Sequence, residues 1–399
     1  MPSAHEQLQL IRKNCVDLYS EEELLERLKK GAPLRVKLGV DPSRPDLHLG
    51  HAVVLRKLKA FQDLGHQVVL IIGDFTARIG DPSGRSQTRP MLSTEEVSLY
   101  AKSYEKQAFR ILDPSKTEIR FNGEWLDRMN FENVIRLGAK YTIARMLERD
   151  DFANRYAAHE PISVAEFLYP LAQGYDSVAV KSDIEIGGTD QLFNLLVGRK
   201  IQEEYGLQPQ IVLTMPLIEG TDGQMKMSKS YGNYIAFNDT PKDIYGKVMS
   251  IPDALLMKYM RLLTEFDEET LSRYERNMRE ERVNPRDYKM ELARKMVELL
   301  YNPEESVKAQ EEFVQVFQKK NLPSDIPDLL LSETSIEAVD LLTKAGIPSR
   351  SEAKRLIQQG GVTLDDQKLE DPFKPLSLTE GMILKIGKRK YYRIVLAPR

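Results

Sequence analysis

Two histidines lie three residues apart around a glycine. The stretch PDLHLGHAVVL contains His48 and His51, two of only five histidines in 399 residues. They follow a predicted strand and begin a predicted helix, where unpaired N–H groups favour phosphate. Gly50 would let a phosphate or a flat ring approach the backbone closely. The stretch could therefore bind a nucleoside triphosphate. It could also belong to a metal site, which would need a third ligand, or contain a pair of capping or core histidines.

Two further stretches carry cationic groups that suit a polyphosphate. KMSKS places Lys226, Lys229 and Ser230 in a short polar loop, and an ammonium on a flexible stem is well suited to phosphate. GDFTARIGDPSGRSQTR brings Arg85 and Arg89 after another predicted strand. Taken alone, the first stretch is also compatible with a hydrophilic surface turn and the second with an ordinary long loop.

The elements around these stretches predict a parallel sheet. LRVKLGV (34–40), the helix HAVVLRKLKAFQDLG and QVVLIIGD (67–74) give strand, helix and strand in succession. Such a βαβ unit implies parallel strands with helices on the faces of the sheet. The pattern returns at DIEIGG (183–188) and IVLTMPLIEG (211–220) on either side of a helical run. The predicted fold class is therefore α/β.

The chain is too long for a single hydrophobic core, so several domains are expected. Residues 1–237 are predicted to form the α/β domain, with a mostly helical insert at about 93–165. Helical spacing and acidic or proline starts predict an all-helical domain over 238–320. Residues 321–335 contain two prolines and little periodicity, which indicates a linker. The remaining residues, 336–399, are expected to form a small α+β unit.

Composition excludes several classes of protein. No apolar run approaches the length of a membrane span, and the N-terminus shows no apolar signal segment. Cys15 is the only cysteine, so disulfides within the chain and cysteine-based metal sites are excluded and a reducing cytoplasm is expected. Net charge is −3, yet residues 341–399 hold 12 Lys and Arg against 6 Asp and Glu. This basic tail suggests that a polyanionic partner binds there. It is equally compatible with a solvated surface that binds no partner.

HLGH followed by KMSKS resembles the paired signatures of class I aminoacyl-tRNA synthetases. Over nearly its whole length the chain resembles the bacterial tyrosyl-tRNA synthetase family, through DPSRPDLHLGH, IGDPSGR, EFLYPLAQGYDS, GGTDQLFN and DGQMKMSKSYGNYI. The tail resembles an S4-type RNA-binding module through AGIPSRSEAKRLIQQGGVTL. The resemblance implies a Rossmann-like catalytic domain with a helical insert, a helical anticodon-binding domain and an S4-like domain. It also implies tyrosine activation by ATP, followed by transfer of tyrosine to tRNA(Tyr).

The resemblance implies roles for residues around ATP. The substrate's own carboxylate is the nucleophile, so the protein must align two anions and stabilise charge on the departing pyrophosphate. The residues implied as catalytic are His48, His51, Lys226 and Lys229. The residues implied in ATP binding are Ser43, Gly50, Arg85, Arg89, Asp190, Met227 and Ser230. Mg²⁺ would accompany ATP as part of the substrate, so no dedicated protein metal site is expected.

The resemblance also implies a tyrosine pocket. Its residues are Gly39, Asp41, Thr76, Asp81, Tyr169, Gln173, Asp176 and Gln191. Asp176 would read the phenol hydroxyl, while Tyr169 and Gln173 would lie near the ammonium with Asp81. A buried partner for the hydroxyl rejects phenylalanine because that partner would be left unpaired. Without the resemblance, Tyr169 and Gln173 are compatible with an ordinary helix face packed on the sheet.

One position departs from the better-known bacterial branch. That branch has a tyrosine two residues before Gly39, where it contacts the substrate hydroxyl, whereas this chain has Lys37. Either Asp176 reads the hydroxyl with another partner, or Lys37 turns into the pocket. A second bacterial branch, with KLGxDP and PDLHLGH, is more similar to this chain.

The resemblance implies that the tail contacts tRNA through Arg350, Lys354 and Arg355, and that the protein is a homodimer built through the insert. No membrane partner is expected. Two alternatives to tyrosine–tRNA ligation are a paralogue that adenylates tyrosine, or a related amino acid, for a non-tRNA acceptor, and a non-catalytic RNA-binding protein. Intact HLGH and KMSKS motifs argue against the last.

Overall fold

The protein is described here from a computed structural model. It describes residues 2–42, 45–82, 93–315, 326–365, 367–387 and 390–396. The chain divides into two compact units, residues 1–310 and residues 311–399. Across the described residues, every helix is too short or too polar to cross a membrane.

The first unit is built on a six-stranded sheet. Its strands are β1 (Asp17–Tyr19), β2 (Arg35–Val40), β3 (Gln67–Ile72), β4 (Thr117–Phe121), β5 (Ile184–Gly188) and β6 (Ile211–Met215). Their order in the sheet is β1-β6-β5-β2-β3-β4, and all neighbours are parallel except the edge pair β1 and β6. This arrangement confirms the predicted parallel α/β fold.

The sheet contains one topological switch point. From β2 the chain proceeds to β3 and β4 on one side, and then returns to β5 and β6 on the other. Helices leave the carboxyl ends of β2 and β5 in opposite directions, which opens a crevice between these two strands. The strand order therefore favours a ligand site where LRVKLGV and DIEIGG end.

Helices cover the sheet and continue into the second half of this unit. They are α1 (Ala4–Arg12), α2 (Glu21–Lys29), α3 (Leu49–Asp63), α4 (Thr76–Ile79), α5 (Thr94–Ala108), α6 (Gly123–Leu126), α7 (Phe131–Gly138), α8 (Ile143–Met146), α9 (Asp150–Ala157), α10 (Val164–Val180), α11 (Leu192–Glu204), α12 (Pro241–Met249), α13 (Leu256–Leu263), α14 (Glu268–Arg279), α15 (Pro285–Leu300) and α16 (Pro303–Phe313). Short 3₁₀ turns occupy 114–116, 189–191, 229–231 and 253–255.

Local sequence explains the two helices that matter most for the site. Of the predicted stripe Val54, Leu58 and Phe61, α3 buries Leu58 and Phe61, whereas Val54 is half-buried and lines the cavity described below. α10 begins with a capping box in which Ser163 and Glu166 exchange hydrogen bonds with each other's backbone. Burial thus fixes α3 in the fold, and the capping box fixes the start of α10.

The structure adds a strand to each of two predicted segments. The insert at about 93–165, predicted to be mostly helical, also contains β4, which pairs in parallel with β3. All five residues of TEIRF are half-buried, which is typical of an edge strand and leaves no clear alternation to detect. The predicted linker 321–335 is wrong over its described part, because Asp328–Leu331 forms a strand.

The second unit is a small α+β module. Its strands are β7 (Asp328–Leu331), β8 (Ser335–Glu337), β9 (Val362–Leu364), β10 (Gln367–Lys368), β11 (Pro375–Ser377), β12 (Ile383–Ile386) and β13 (Lys390–Leu396), and its helices are α17 (Ala338–Lys344) and α18 (Arg350–Gln358). Five strands form a sheet in the order β10-β9-β12-β13-β7, and β8 pairs with β11. Because β7 pairs in parallel with β13, the segment predicted as a linker is part of the core.

Candidate active site

A cavity of about 340 Å³ opens at the switch point between β2 and β5. It is lined by the ends of both strands, the start of α3, one face of α10 and the loop that follows β6. The predicted site residues that line it are Gly39, Asp41, His48, Gly50, His51, Thr76, Asp81, Tyr169, Gln173, Asp176, Asp190, Gln191, Lys226 and Met227. Segments separated by nearly two hundred residues in the chain therefore meet at one site.

Other predicted site residues lie elsewhere. Lys229 and Ser230 occupy the 3₁₀ turn beside the cavity, and the Lys229 ammonium lies 5.6 Å from the centre of the Tyr104 ring on the cavity wall. Ser43, Arg85 and Arg89 lie outside the described residues. Arg350, Lys354 and Arg355 belong to the second unit, on α18.

The two histidines form an unusual helix cap. His48 is the N-cap of α3, and its Nδ1 accepts the Gly50 N–H at 3.2 Å. His51 Nδ1 in turn accepts the His48 N–H at 3.2 Å. Because each Nδ1 is an acceptor, each neutral ring carries its proton on Nε2. Two Nε2–H donors thus remain for a ligand. The histidines are capping residues, and this arrangement is compatible with phosphate binding.

These imidazoles are neutral at physiological pH. Desolvation within the deep cavity lowers the pKa of His48 well below its ordinary value, and the charge of Lys229 acts in the same direction. Desolvation and Lys229 also lower the pKa of His51 to about 4. The histidines can therefore donate hydrogen bonds to a phosphate without adding a permanent charge, while the lysines supply the positive charge.

Gly50 is required by the geometry of this cap. A Cβ atom at Gly50 would lie 2.9 Å from both Cε1 and Nδ1 of His48. The ring would have to leave its position over the Gly50 N–H. The glycine therefore keeps the imidazole in place as well as giving a ligand access to the backbone.

Backbone pairing holds the two signature motifs together. His48 forms an antiparallel bridge with Ala236, just after KMSKS. The Leu49 N–H donates to the Ile235 carbonyl at 3.1 Å, and the Phe237 N–H donates to the Leu47 carbonyl at 2.9 Å. The loop that bears the lysines is consequently tied at its far end to the start of α3.

Asn233 organises the KMSKS loop from within. Its Oδ1 accepts the Ser228 N–H at 2.9 Å, and its Nδ2 donates to the Lys226 carbonyl at 3.2 Å and to Asp222 Oδ2 at 2.9 Å. The Lys226 ammonium reaches Asp190 Oδ2 at 2.8 Å. This half-exposed ion pair joins the loop to the turn after β5 across the cavity mouth.

At the other side of the cavity, Asp41 accepts two side-chain hydrogen bonds. Tyr169 donates its hydroxyl to Oδ2 at 2.8 Å, and Thr76 donates to Oδ1 at 2.7 Å. Burial and the neighbouring carboxylates of Asp41 and Asp81 raise the pKa of Tyr169 well above its ordinary value, so it remains a donor. A Cβ atom at Gly73 would lie 2.0 Å from Asp41 Oδ1, so only glycine allows this contact.

A second polar chain connects the strand ends to α11. Gln191 Nε2 donates to Asp81 Oδ2 at 2.9 Å, and Asn194 Nδ2 donates to Gln191 Oε1 at 3.0 Å. Asp41 and Asp81 together make this part of the cavity negative. Such a wall suits a cationic group such as an α-ammonium.

Asp176 is the buried carboxylate of the site. Its Oδ1 accepts the Trp125 Nε1–H at 2.8 Å, and its Oδ2 accepts Asn122 Nδ2 at 3.2 Å. Burial raises the pKa of Asp176 to about 7, opposed by Lys37 and by the Trp125 and Asn122 hydrogen bonds. Asp176 and Gln173 face the cavity from successive turns of α10, as their spacing predicts.

The cavity carries no resident metal cage in the part of the chain that the structure describes. No group of three or more His, Cys, Asp or Glu side chains in those ranges could hold a metal ion. The polar groups at the mouth are instead imidazole N–H, ammonium and carboxylate groups arranged for a charged organic ligand.

Comparison with known proteins identifies the family. The profile of class I tRNA synthetases (W and Y) matches residues 29–318, and the S4 domain profile matches residues 339–380. The chain is 64% identical to the tyrosine–tRNA ligase of Thermotoga maritima over 98% of this chain and 97% of that protein. It is 50% identical to that of Aquifex aeolicus over 98% of each. The chain belongs to the tyrosyl-tRNA synthetase family.

Solved structures of this family share the fold of the first unit. The mitochondrial tyrosyl-tRNA synthetase of Aspergillus nidulans, C-terminally truncated, is 24% identical, covers 79% of this chain and 95% of its own, and has a TM-score of 0.65. The tyrosyl-tRNA synthetase of Archaeoglobus fulgidus, solved with L-tyrosine, is 23% identical, covers 77% and 99%, and has a TM-score of 0.63. At this identity the likeness concerns the fold alone.

The structure also answers the question raised by Lys37 in this member of the tyrosyl-tRNA synthetases. Lys37 is fully buried and its ammonium contacts Glu185 Oε1 at 2.8 Å. Its other two hydrogen bonds go to the Gln173 carbonyl and to Ser177 Oγ. Each of the three N–H groups of the ammonium therefore has an acceptor. Lys37 lies below the cavity floor and is not among the residues that line the cavity.

Sequence reasoning missed three residues that shape the tyrosyl-tRNA synthetase cavity. Asn122 and Glu185 line it, and Trp125 holds Asp176 from behind. Asn122 follows directly after β4, so a correct prediction of that strand would have placed a polar residue at the carboxyl edge of the sheet. No local signal marks Glu185 or Trp125.

Proposed function

We propose that the chain is a tyrosine–tRNA ligase. It activates L-tyrosine with ATP to give tyrosyl-adenylate and pyrophosphate, and then transfers the tyrosyl group to the 3′ end of tRNA(Tyr). The observation that carries this proposal is the shared cavity. Histidines from HLGH, a lysine from KMSKS and the carboxylate Asp176 converge on one crevice at the switch point of a parallel sheet.

The tyrosine substrate lies with its phenol toward Asp176 and its ammonium toward Asp41 and Asp81. The phenol O–H donates to the Asp176 carboxylate, whose other contacts with Trp125 and Asn122 fix its orientation. A phenylalanine ring in the same place would leave the buried carboxylate without that donor. Tyr169 and Gln173 complete the pocket wall.

In the first step the substrate carboxylate attacks the α-phosphorus of ATP, the bond to the bridging oxygen breaks, and pyrophosphate leaves with that electron pair. The Nε2–H groups of His48 and His51 donate to phosphate oxygens as negative charge develops on them. Lys226, Lys229 and Ser230 close over the leaving pyrophosphate. These preorganised donors lower the barrier because they need little rearrangement as the charge appears.

Binding of ATP exchanges one ion pair for others. Lys226 is paired with Asp190 across the cavity mouth. When ATP enters, Lys226 turns to the phosphates and Asp190 becomes available to the ribose hydroxyls. Mg²⁺ arrives with ATP as part of the substrate, held mainly by phosphate oxygens and water.

The second unit supplies contacts to tRNA. Lys354 and Arg355 lie exposed on α18, and the tail as a whole is basic. Such groups suit the phosphate backbone, with shape contributing more than base reading. The helices from α12 onward would meet the anticodon.

A homodimer is proposed on the basis of exposed apolar side chains in the insert. Phe131, Ile135, Ile143 and Val164 are between 57% and 81% exposed. Large apolar groups clustered on one segment mark surfaces that a partner covers. The cytoplasm is the proposed location, since the similar ligases are bacterial proteins that act on tRNA.

ATP–pyrophosphate exchange with each of the twenty amino acids tests the function. Exchange with tyrosine alone, together with charging of tRNA(Tyr), is the expected result. Exchange without charging would instead support a paralogue that serves a non-tRNA acceptor. Absence of exchange with any amino acid would contradict the proposal.

A further inference from the structure

A fully buried ion pair lies beneath the tyrosine end of the cavity. The Lys37 and Glu185 side chains are 0% and 1% exposed, and the ammonium and the Oε1 atom are 2.8 Å apart. They come from neighbouring strands, β2 and β5, which pair in parallel at this position. A buried ion pair is a poor source of stability compared with apolar packing. Its presence here calls for another role.

The pair is joined to the turn of α10 that carries Asp176. Lys37 donates to the Gln173 carbonyl at 3.1 Å and to Ser177 Oγ at 2.7 Å. Glu185 accepts from Gln173 Nε2 and from Ser177 Oγ, each at 3.2 Å. Residues on both sides of Asp176 are therefore fixed to the sheet through this one pair.

The same pair controls the charge around Asp176. Burial raises the pKa of Asp176 to about 7, Lys37 is the largest influence that lowers it, and Glu185 acts weakly in the raising direction. The other titratable groups that face Asp176 across the cavity are Tyr169, Asp41 and Asp81. Tyr169 stays neutral. Among these groups, Lys37 is the one cation that acts on Asp176.

We propose that Lys37 and Glu185 form a positioning pair that keeps Asp176 charged and correctly placed to accept the phenol hydroxyl, and thereby sets the discrimination of tyrosine from phenylalanine. The proposal rests on the proposed function of the cavity. The lysine does not reach the cavity itself and acts on the substrate through the carboxylate.

Trp125 provides a test that does not depend on catalysis. It is the only tryptophan in the chain and donates a hydrogen bond to Asp176 Oδ1. The emission of an indole responds to the charge of a group bonded to it. A pH titration of tryptophan emission in the ligand-free protein should therefore show a midpoint near 7. Asp176→Asn should abolish this transition.

The two members of the pair should shift that midpoint in opposite directions. Lys37→Met removes the cation and should raise the midpoint by about one pH unit. Glu185→Gln keeps the hydrogen-bonding shape but removes the anion, and should lower the midpoint by a smaller amount. The double variant Lys37→Met/Glu185→Gln leaves no unpaired charge, and its midpoint should lie between those of the wild type and Lys37→Met. Lys59→Met, which breaks an exposed pair with Asp63, is the matched control and should leave the midpoint unchanged.

Steady-state exchange gives the second readout. With a midpoint one unit higher, Lys37→Met should have a tyrosine KM about fivefold higher at pH 7, with little change in kcat, because fewer molecules carry the charged acceptor. The KM should recover toward the wild-type value at pH 8.5. Phenylalanine should be affected little, so the discrimination falls in proportion. A purely structural role would raise KM at every pH.

Three results would overturn the inference: midpoints that move in the same direction in both single variants, midpoints that do not move, or a transition that persists in Asp176→Asn. These outcomes differ from a failure of the proposed function. In that case the wild type would show no tyrosine-dependent exchange, while the emission titration would still report the state of Asp176.

Discussion

The two ends of the cavity are built in different ways. At the phosphate end, each histidine ring is fixed by a backbone N–H no more than three residues away. At the hydroxyl end, Asp176 accepts hydrogen bonds from Asn122 and Trp125, which belong to one segment after β4, and the charge of Lys37, from β2, lowers its pKa. A site made from local contacts leaves a readable motif, whereas a site made from tertiary contacts does not.

Burial also shifts the pKa values at the two ends in opposite directions, down for the histidines and up for Asp176. Desolvation disfavours the charged form of any group. It keeps His48 and His51 neutral, which suits donors that must not repel Lys229. It would also neutralise Asp176, which must be an acceptor, so that end requires a compensating cation. Lys37 provides it at the cost of a second buried charge, Glu185.

The largest effect is expected at the phosphate end. His51→Ala removes one Nε2–H donor that acts on developing charge, and should slow adenylate formation roughly 10²–10³-fold. Tyrosine affinity should not change, because His51 lies at the opposite end of the cavity from Asp176. Because the pKa of His51 is about 4, protonation of this ring should not alter the wild-type rate between pH 6 and 8. Single-turnover kinetics measures this rate.

His5→Ala is the matched control, since His5 is exposed on α1 and is not among the residues that line the cavity. It should leave the rate unchanged. An equal loss of tyrosine binding in His51→Ala would break the proposed division of the cavity into two ends.

A smaller effect is expected at the hydroxyl end. Asp176→Asn keeps the shape but replaces a charged acceptor, whose hydrogen bonds contribute about 1.5–3 kcal/mol. The value of kcat/KM for tyrosine should fall roughly 10- to 100-fold. The KM for ATP should stay the same, because Asp176 is remote from the HLGH motif. Steady-state exchange with varied tyrosine and varied ATP separates the two parameters.

Asp127→Asn tests whether replacing another carboxylate near Trp125 would also lower kcat/KM for tyrosine. Asp127 is half-exposed and pairs with Arg78 outside the cavity. Its replacement should not change discrimination. If Asp176→Asn raised the KM for ATP as much as that for tyrosine, the two ends would not be independent.

This contrast also explains how much could be predicted from the sequence. β2, β3, β5 and β6 are buried on both faces, so they read as apolar runs and the parallel fold could be predicted. β4 was missed because its half-buried edge residues lack that signal. β7 was missed because prolines precede it in a segment that looks like a linker.

The site follows the same rule. His48, Gly50 and His51 form one turn, so the motif is visible in the sequence, but its spacing alone left phosphate binding, a metal site and a capping pair open. The pairing of Lys37 with Glu185 depends on the register of β2 against β5, which no local pattern contains. Sequence alone left open whether Lys37 enters the pocket, because the answer lies in a tertiary contact.

The smallest effect is expected in the second unit, where local ion pairs decide which basic residue is available. Arg350 is paired with both Glu337 and Asp340, and these bonds raise its pKa. Lys354 has its ammonium 5.6 Å from the centre of the Phe373 ring, and that ring is 50% exposed. Its charge is therefore open to an RNA phosphate, whereas much of the charge of Arg350 is already compensated.

Lys354→Ala should weaken tRNA binding only a few-fold and lower the slope of log affinity against log salt by about one. Arg350→Ala should change the slope less, and should mainly loosen the contact of α18 with α17. Filter binding of tRNA(Tyr) over a series of salt concentrations measures both slopes. A larger change of slope for Arg350 than for Lys354 would mean that RNA displaces the internal ion pairs. In that case, the internal ion pairs of the second unit would not indicate which residues bind RNA. At the phosphate end of the cavity, by contrast, short-range hydrogen bonds do mark the motif.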